Sequence, residues 1–231
     1  MKKVFQLLKW GGLFFVSLLR IKNYKIGFSI VLADEIVLDS GAKIGHFNII
    51  ICKQLRMGKG AKIGNFNYIH GNDTVFEIKE KARIENRNKF TGLTENRSVC
   101  FCLQNDAHII GSHFFDLSDS ITIGKYSCVA GSDTSFYTHS FFIDSKGKAV
   151  KVVGEICIGN CCYIGAKSCI LLGTTITDNV TVGAMSCVSK SLNNSGFYYS
   201  QPLRYSSQSV EDKIANLGNP ILTTPLDIYK K

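Results

Sequence analysis

One histidine of this chain occupies a position suited to proton transfer. His139 lies near the end of a polar run, and the segment that follows it, Phe141–Val153, departs from the repeat of its surroundings. A polar insertion that leaves a rigid scaffold often carries function. A neutral imidazole takes a proton from an attacking hydroxyl if an acceptor orients its second nitrogen. Asp116 is the first choice for that acceptor, followed by Asp133 and Asp144. A packed or surface histidine without a catalytic role is the alternative.

The elements that would hold such a loop follow a period of six residues. Aliphatic residues recur at this interval without a break at Ile158, Ile164, Ile170, Ile176, Val182 and Val188. Glycine follows at three of these positions, and a small side chain often stands four residues later. An α-helix repeats at 3.6 residues and a strand at 2, so a period of six fits neither. It predicts a solenoid that turns a corner every six residues, with the aliphatic side chains stacked inside.

The same pattern is present upstream in a weaker form. It includes Ile44-Gly45, Met57-Gly58, Ile63-Gly64 and Ile123-Gly124. Between Glu77 and Thr94, charged residues and asparagines interrupt the ladder, and we expect an outward loop or an imperfect coil there. An ordinary β-sandwich with coincidental spacing is the alternative. The unbroken run near the C-terminus, with its glycines and small residues, argues against that alternative.

These repeats resemble the left-handed β-helix acyltransferases with hexapeptide repeats, over residues 30–205 and most strongly over 113–190. Within them the chain is similar to enzymes of the polysaccharide O-acetyltransferase type. The shared pieces are His113-Phe114-Phe115-Asp116, Ile123-Gly124, Ala130-Gly131 and Thr138-His139-Ser140. The resemblance implies an all-β fold, a left-handed parallel β-helix, and a homotrimer. It also implies that His139 is the general base and His113 a second active-site residue, although His113 could equally be a corner residue.

The last coils resemble the part of the family that binds acetyl-coenzyme A between adjacent subunits. The matching pieces are Cys162-Tyr163-Ile164-Gly165-Ala166 and the run from Val182 to Lys190. The resemblance implies coenzyme contacts by Tyr163, Ala166, Ala184, Ser186, Lys190 and Arg204. Lys190 suits a phosphate as a compact cation, and Arg204 ends a Pro-Leu-Arg turn where the family has Pro-Ala and a basic residue. For Ala184 and Ser186, a purely structural role in the solenoid is the alternative.

The net charge of +9 has a large contribution from the N-terminal segment. Residues 1–25 contain no acidic residue, and their basic residues are Lys2, Lys3, Lys9, Arg20, Lys22 and Lys25. The apolar stretch among them is shorter than the ~20 residues that span a bilayer, and no signal-peptide cleavage site follows it. We expect a basic amphipathic helix on an anionic membrane surface, or a helix docked on the solenoid or on a neighbouring subunit. Both place the protein in the cytoplasm, the first as a peripheral protein on the inner face of the membrane.

Cysteine and charge patterns disfavour several other classes. The nine cysteines lie in repeat-like runs without a CxxC pair or a Cys/His metal spacing, which indicates free thiols and no resident metal. A cysteine nucleophile is disfavoured because buried thiols are inert. The histidines lack the spacing of the zinc-binding γ-carbonic-anhydrase-like proteins. Nucleic-acid binding is disfavoured because no recognition motif is present and basic residues are not interleaved with aromatics in one stripe.

The chain is thus predicted to have three parts. They are a basic N-terminal segment (1–25), a β-helix (30–190) with a catalytic loop near 131–153, and a C-terminal extension (191–231) with a short capping helix over 207–217. The resemblance implies transfer of acetyl from acetyl-coenzyme A to a sugar hydroxyl in surface-polysaccharide synthesis. The acceptor would be a glycan or a nucleotide- or lipid-linked sugar. The alternatives are N-acetylation of an amino sugar and a β-helix scaffold without activity.

Overall fold

The computed structural model describes residues 3–5, 25–94, 97–143, 149–200, 204–207, 222–223 and 227–228. Within these ranges the chain forms strands and turns, and no helix long and apolar enough to cross a membrane is found. The strands, in chain order, are β1 (Lys3–Phe5), β2 (Lys25–Ile26), β3 (Ile30–Leu38), β4 (Lys43–Ile44), β5 (Ile49–Met57), β6 (Lys62–Ile63), β7 (Tyr68–Ile78), β8 (Arg83–Ile84), β9 (Lys89–Thr91), β10 (Val99–Leu103), β11 (His108–Ile109), β12 (Phe114–Asp116), β13 (Ile121–Ile123), β14 (Cys128–Val129), β15 (Ser135–Tyr137), β16 (His139–Ile143), β17 (Ala149–Val153), β18 (Ile156–Ile158), β19 (Tyr163–Ile164), β20 (Cys169–Leu171), β21 (Thr175–Ile176), β22 (Val180–Val182), β23 (Cys187–Val188), β24 (Gly196–Tyr199), β25 (Arg204–Ser206), β26 (Leu222–Thr223) and β27 (Asp227–Ile228).

These strands build a parallel β-solenoid with three faces. Face 1 stacks β2, β4, β6, β8, β11, β14, β19, β22 and β24 in that order. Face 2 contains β9, β12, β15, β20 and β23, and face 3 contains β10, β13, β18 and β21. In the first turns, β3, β5 and β7 run continuously from face 2 into face 3. Each turn therefore passes faces 1, 2 and 3 in sequence, and the predicted all-β parallel solenoid is confirmed.

The core consists of inward side chains stacked on their equivalents in the next turn. Parallel pairing places Ile44 beside Ile63 and Ile63 beside Ile84. The predicted six-residue ladder, Ile158 to Val188, is buried at every position, at 3% exposure or less. A slip of one residue would turn every inward side chain outward, so burial of one side specifies the register.

Phenylalanines fill the interior of the middle turns. Phe76, Phe90, Phe101, Phe115 and Phe136 are each 0% exposed. The rings of Phe90 and Phe115 stack with centroids 4.5 Å apart, and those of Phe115 and Phe136 with centroids 4.6 Å apart.

A polar ladder runs up the corner between faces 1 and 2. The side-chain amide of Asn48 donates to Ser29 Oγ, that of Asn67 to Asn48 Oδ1, and that of Asn88 to Asn67 Oδ1. The same amides also donate to backbone carbonyls. The corner needs such partners because an unpaired buried polar group costs free energy. Later rungs of this ladder are His113, Thr134, Ser168 and Ser186.

The outward loop or imperfect coil expected between Glu77 and Thr94 is wrong for the part up to Thr91. This part contains β8 and β9 in register with their neighbours, whereas Gly92–Thr94 begin an insertion before β10. Its charged residues stand at outward positions, while Ile84, Asn88 and Phe90 point inward and are buried. Charge on the outer wall does not disturb a coil whose inner positions keep their pattern.

The structure describes only part of the two terminal segments in which helices were predicted. Lys3–Phe5 do not join the predicted N-terminal helix, because they form β1, antiparallel to Ile36–Leu38. The other residues of 1–24, and those of the predicted capping helix after Ser207, lie outside the described residues. The coil itself continues beyond Lys190, since β24 pairs in parallel with β22.

Truncating the phenylalanine stack tests this core. Phe115→Ala is expected to lower the free energy of unfolding by about 3–5 kcal/mol, because it removes a fully buried ring between two stacked neighbours. Phe142→Ala is the matched control, since that ring is 65% exposed, and its effect is expected within about 0.5 kcal/mol. Denaturant unfolding followed by circular dichroism measures both, and equal losses would contradict the arrangement.

Candidate active site

Extra residues enter the coil at the corner between faces 2 and 3. Equivalent positions of successive turns are 18 residues apart at Phe28 and His46, but 35 apart at Lys125 and Asn160. Most of the additional chain forms the antiparallel hairpin of β16 and β17, which leaves the solenoid at this corner. The departure starts at His139, because Ser135–Tyr137 still pair within face 2.

Asp116 is the buried centre of this corner. It is the last residue of β12, and its side chain is 3% exposed. Its Oδ1 accepts from the Ser118 N–H at 3.1 Å and the Ser118 hydroxyl at 2.8 Å, and its Oδ2 accepts from the Thr138 N–H at 2.9 Å. A carboxylate is buried at tolerable cost only when its oxygens are hydrogen-bonded in this way.

His139 lies directly against that carboxylate. Its Nδ1 is 2.5 Å from Asp116 Oδ2 and 3.1 Å from Ser118 Oγ. Because Asp116 accepts on both oxygens, Nδ1 carries the proton in this pair and Nε2 is left as the acceptor. The His139 side chain is 31% exposed, so a ligand in the corner has access to it. The first-choice partner predicted from the sequence, Asp116, is therefore brought together with His139.

The neighbouring turn supports this pair. Arg97 Nη2 donates to the Ser118 carbonyl at 2.5 Å, and its Nη1 lies 3.7 Å from Asp119 Oδ2. The Asp119 N–H in turn donates to Thr138 Oγ1 at 2.9 Å. The backbone that follows Asp116 is thus held against Arg97 and Thr138, which restricts the orientation of the imidazole. Arg97 and Ser118 were not predicted, because no local spacing relates them to His139.

The hairpin supplies an aromatic surface beside the imidazole. The rings of His139 and Phe141 meet edge to face with centroids 5.4 Å apart. Phe141 and Phe142 are 55% and 65% exposed. Lys151 Nζ donates to the Leu93 carbonyl at 2.9 Å, which connects the hairpin to the insertion two turns earlier. The corner therefore combines one polar pair with exposed apolar rings.

His113 lies at the other end of β12, at the corner between faces 1 and 2. It is 2% exposed, its N–H donates to Asn88 Oδ1, and its Nδ1 accepts from the Thr134 N–H at 3.2 Å. Burial lowers the pKa of His113 from 6.5 to about 4, although the nearby Asp133 charge opposes this shift. The structure therefore places His113 in the polar ladder. Of the two roles that the sequence left open, this position is that of a corner residue.

The other acidic candidates are placed differently from Asp116. Asp133 is an exposed corner residue whose Oδ2 accepts from the Ser132 hydroxyl. This corner, between faces 1 and 2, is not the corner of His139. Asp144 lies outside the described residues.

The side chains predicted to contact the coenzyme differ in exposure. Tyr163, on face 1, is 47% exposed; Ala184 and Lys190 are exposed, and Ala166 is partly exposed. Ser186 is 1% exposed, and its hydroxyl donates to the Gly183 carbonyl at 2.7 Å, so this side chain is engaged inside the coil. For Arg204 the backbone is described, and β25 pairs it with Tyr199.

Glycine and alanine allow close stacking at the corner between faces 1 and 2. A Cβ at Gly131 would lie 2.5 Å from Ala166 Cβ, and Gly131 has a φ of +70°. Successive turns are therefore in close contact here, and no side chain larger than that of glycine fits at Gly131.

The cysteines do not provide an activated thiol at this site. Burial raises the pKa of Cys52 to about 12 and that of Cys102 and Cys169 to about 11. All nine cysteines are free thiols. Among the described residues, no three His, Cys, Asp or Glu side chains form a group that could hold a metal ion.

The fold and site define the chain as a parallel β-solenoid with a histidine–carboxylate pair at an inserted corner. No protein-family model and no curated protein sequence matches it. Among solved structures it is similar to the hexapeptide-repeat-containing acetyltransferase VCA0836 of Vibrio cholerae, with 21% identity over 57% of this chain and 74% of that chain and a TM-score of 0.48. It is also similar to the polySia-specific acetyltransferase NeuO, with 16% identity over 79% of this chain and 81% of that chain and a TM-score of 0.45.

A further similar structure is the N-acyltransferase AntD of Bacillus cereus, in complex with dTDP-4-amino-4,6-dideoxyglucose and coenzyme A. It shares 17% identity over 82% of this chain and 87% of that chain, with a TM-score of 0.40. The resemblance to hexapeptide-repeat acetyltransferases is thus confirmed as a structural similarity. At these identities and TM-scores it carries no inference about activity, which has to come from the residues of this chain.

The position of His113 predicts a pH-dependent contribution to stability. Because its folded-state pKa is below the ordinary value, this contribution is complete above pH 6.5 and is lost as the pH falls toward 4. The wild type is expected to lose about 2 kcal/mol of unfolding free energy from this group between pH 7 and pH 5. His113→Asn removes the loss, since an amide accepts the Thr134 N–H as Asn88 accepts that of His113.

Urea unfolding at several pH values measures this effect. His46→Asn, at an exposed histidine, is the matched control and should keep the wild-type pH dependence. If His113→Asn leaves the pH dependence unchanged, His113 is not the titrating group.

Proposed function

We propose that this protein is an acyltransferase that moves acetyl from acetyl-coenzyme A to a sugar hydroxyl in surface-polysaccharide synthesis. The observation that carries the proposal is the His139–Asp116 pair, which leaves Nε2 of a partly exposed imidazole as a proton acceptor. The acceptor is a glycan or a nucleotide- or lipid-linked sugar. The exposed rings of Phe141 and Phe142 offer a surface on which the apolar face of a sugar ring packs.

The pair performs the proton transfers of acetyl transfer. His139 Nε2 takes the hydroxyl proton while the acceptor oxygen bonds to the thioester carbonyl carbon. The carbon–sulfur bond then breaks as the carbonyl re-forms, and the imidazolium returns the proton to the leaving thiolate. Asp116 stays an acceptor throughout, because it holds Nδ1–H and stabilises the positive charge on the ring, as in other histidine–aspartate pairs. No covalent acyl-enzyme is needed when both substrates bind together.

The coenzyme lies, in this proposal, along the edge that carries Tyr163, Ala166 and Ala184, with its phosphates near Lys190 and Arg204. Ala166 and Ala184 lie at the corner between faces 1 and 2, whereas His139 lies at the corner between faces 2 and 3. Face 2 separates these two corners on one chain. In a homotrimer of left-handed coils, the edge of a neighbouring subunit that carries Ala166 and Ala184 faces the His139 corner, so the bound coenzyme and the base meet between subunits. We place the enzyme in the cytoplasm, at the inner face of the membrane.

Removing the base is the direct test of the mechanism. His139→Gln is expected to lower kcat by about 10²–10⁴-fold with little change in affinity for acetyl-coenzyme A, since only proton transfer is removed. Asp116→Asn should also lower kcat strongly, because its amide no longer enforces the Nδ1–H tautomer. Release of free coenzyme A with a panel of hydroxyl and amine acceptors measures both. His108→Gln is the control, and full activity of His139→Gln would exclude His139 as the base.

The donor edge is tested separately by calorimetry with acetyl-coenzyme A. Lys190→Ala is expected to weaken binding by roughly tenfold through loss of one charge-assisted phosphate contact, whereas His139→Ala should bind normally. Lys125→Ala removes an exposed lysine elsewhere and is the matched control. Absence of binding by the wild type would exclude acetyl-coenzyme A as the donor and favour a scaffold role.

A further inference from the structure

Basic residues stack in register on the outside of face 1. Parallel pairing sets Lys43 beside Lys62 and Lys62 beside Arg83, which we call the basic row. Adjacent strands in a sheet are ~4.8 Å apart, and like charges directly opposite each other are destabilising. Among the described residues, no ion pair includes a member of this row, and Arg83 Nε is buried without a partner.

On face 3, by contrast, basic residues form ion pairs with acidic residues. Arg56 lies 3.6 Å from Glu35 and 3.3 Å from Glu77, and Lys79 lies 2.6 Å from Glu77. The same turns of the solenoid thus neutralise charge on one face and leave it unbalanced on another. The unbalanced charge is a property of face 1, and not only a consequence of the basic composition.

Exposed phenylalanines run parallel to the basic row. Phe28, Phe47 and Phe66, the phenylalanine row, occupy the corner between faces 1 and 2 at 49%, 57% and 55% exposure. The rings of Phe47 and Phe66 stack with centroids 5.2 Å apart. Their φ angles are +57° and +59°, a conformation that is unfavourable for a bulky side chain. At the equivalent corner positions of later turns, Arg87, Ser112, Asp133 and Lys167 are polar and Met185 is apolar.

A lane of glycines lies between the two rows. A Cβ at Gly27 would lie 2.5 Å from the Gly45 carbonyl oxygen, and one at Gly45 would lie 2.4 Å from that of Gly64. The polar side chains of His46 and Asn65 lie beside these glycines, 3.0 Å and 2.4 Å from the same Cβ positions. The first turns therefore present a surface with one cationic border, a polar lane and one aromatic border, which we call the docking face.

We propose that the docking face binds the surface of an anionic lipid bilayer. Lipid phosphates neutralise the basic row, and the phenylalanine row enters the boundary between headgroups and acyl chains. A second copy that meets this face about a two-fold axis is disfavoured as the occupant, because basic row would meet basic row. The N-terminal segment is disfavoured for the same reason, since it contains basic and no acidic residues. An open face with aromatics on one border fits a membrane better than a single nucleic-acid strand, which lies in a groove.

Vesicle co-sedimentation of the full-length protein tests the proposal. We expect binding to vesicles of phosphatidylcholine with phosphatidylglycerol, release by high salt, and no binding to phosphatidylcholine alone. Lys43→Gln/Lys62→Gln should reduce partitioning by roughly tenfold or more. Phe47→Asn/Phe66→Asn should reduce it as well while folding at least as stably, because asparagine tolerates the positive φ. Lys53→Gln/Lys125→Gln removes the same charge from exposed sites elsewhere and should bind like the wild type.

Three results would overturn the proposal. If both docking-face variants bind vesicles like the wild type, the N-terminal segment carries the interaction. If the variants change the oligomeric state measured by light scattering, the face is a subunit interface. If a single-stranded oligonucleotide binds more tightly than the vesicles and displaces them, the partner is a nucleic acid. Each readout is independent of acetyl transfer, so failure here leaves the proposed enzyme function untouched.

Discussion

The requirement that each turn repeat the register of the turn below determines most of this structure. Inward side chains are buried only because their equivalents lie directly above and below them, as Phe115 lies between Phe90 and Phe136. Backbone hydrogen bonds run between turns and depend on the same alignment. A change in length within a face would break both kinds of contact. Additional residues are therefore accommodated at corners, where the chain leaves the stack and returns.

The candidate site is a consequence of that constraint. Asp116 ends a face-2 strand of one turn, and Thr138 and His139 follow the face-2 strand of the next, so stacking alone brings them together. The hairpin of β16 and β17 then leaves from this point without disturbing the faces. A buried carboxylate would destabilise an isolated loop. Here the fixed backbone provides its donors, and the carboxylate in turn orients the imidazole.

The solenoid differs along its length. In the first turns, β3 and β5 pass from face 2 to face 3 in the same register, β7 carries two extra residues at this corner, and the outer surface carries the basic and phenylalanine rows. The later turns carry the insertions and the edge with Ala166 and Ala184. A repeat protein permits this division because each turn contacts only its neighbours. Outer positions of one turn are therefore free to change while the core of another is kept.

Local periodicity made much of the fold predictable. The six-residue ladder predicted the inward residues because burial in a solenoid depends on position within the repeat, and His139 and Asp116 were recognised from a motif near the insertion. The outward loop or imperfect coil expected between Glu77 and Thr94 was wrong up to Thr91, because charges on the outer wall were interpreted as breaks in the core pattern.

The tertiary structure decided what depends on stacking between distant turns. It placed His113 in the polar ladder, brought Arg97 and Ser118 to the site, and aligned Lys43, Lys62 and Arg83 in one row. The sequence showed no such row, because its members are separated by whole turns of the coil. Residues 18 to 35 apart become neighbours only when the register of successive turns is set. The sequence thus determined the repeat and the chemistry of its residues, whereas their alignment between turns decided which of them act together.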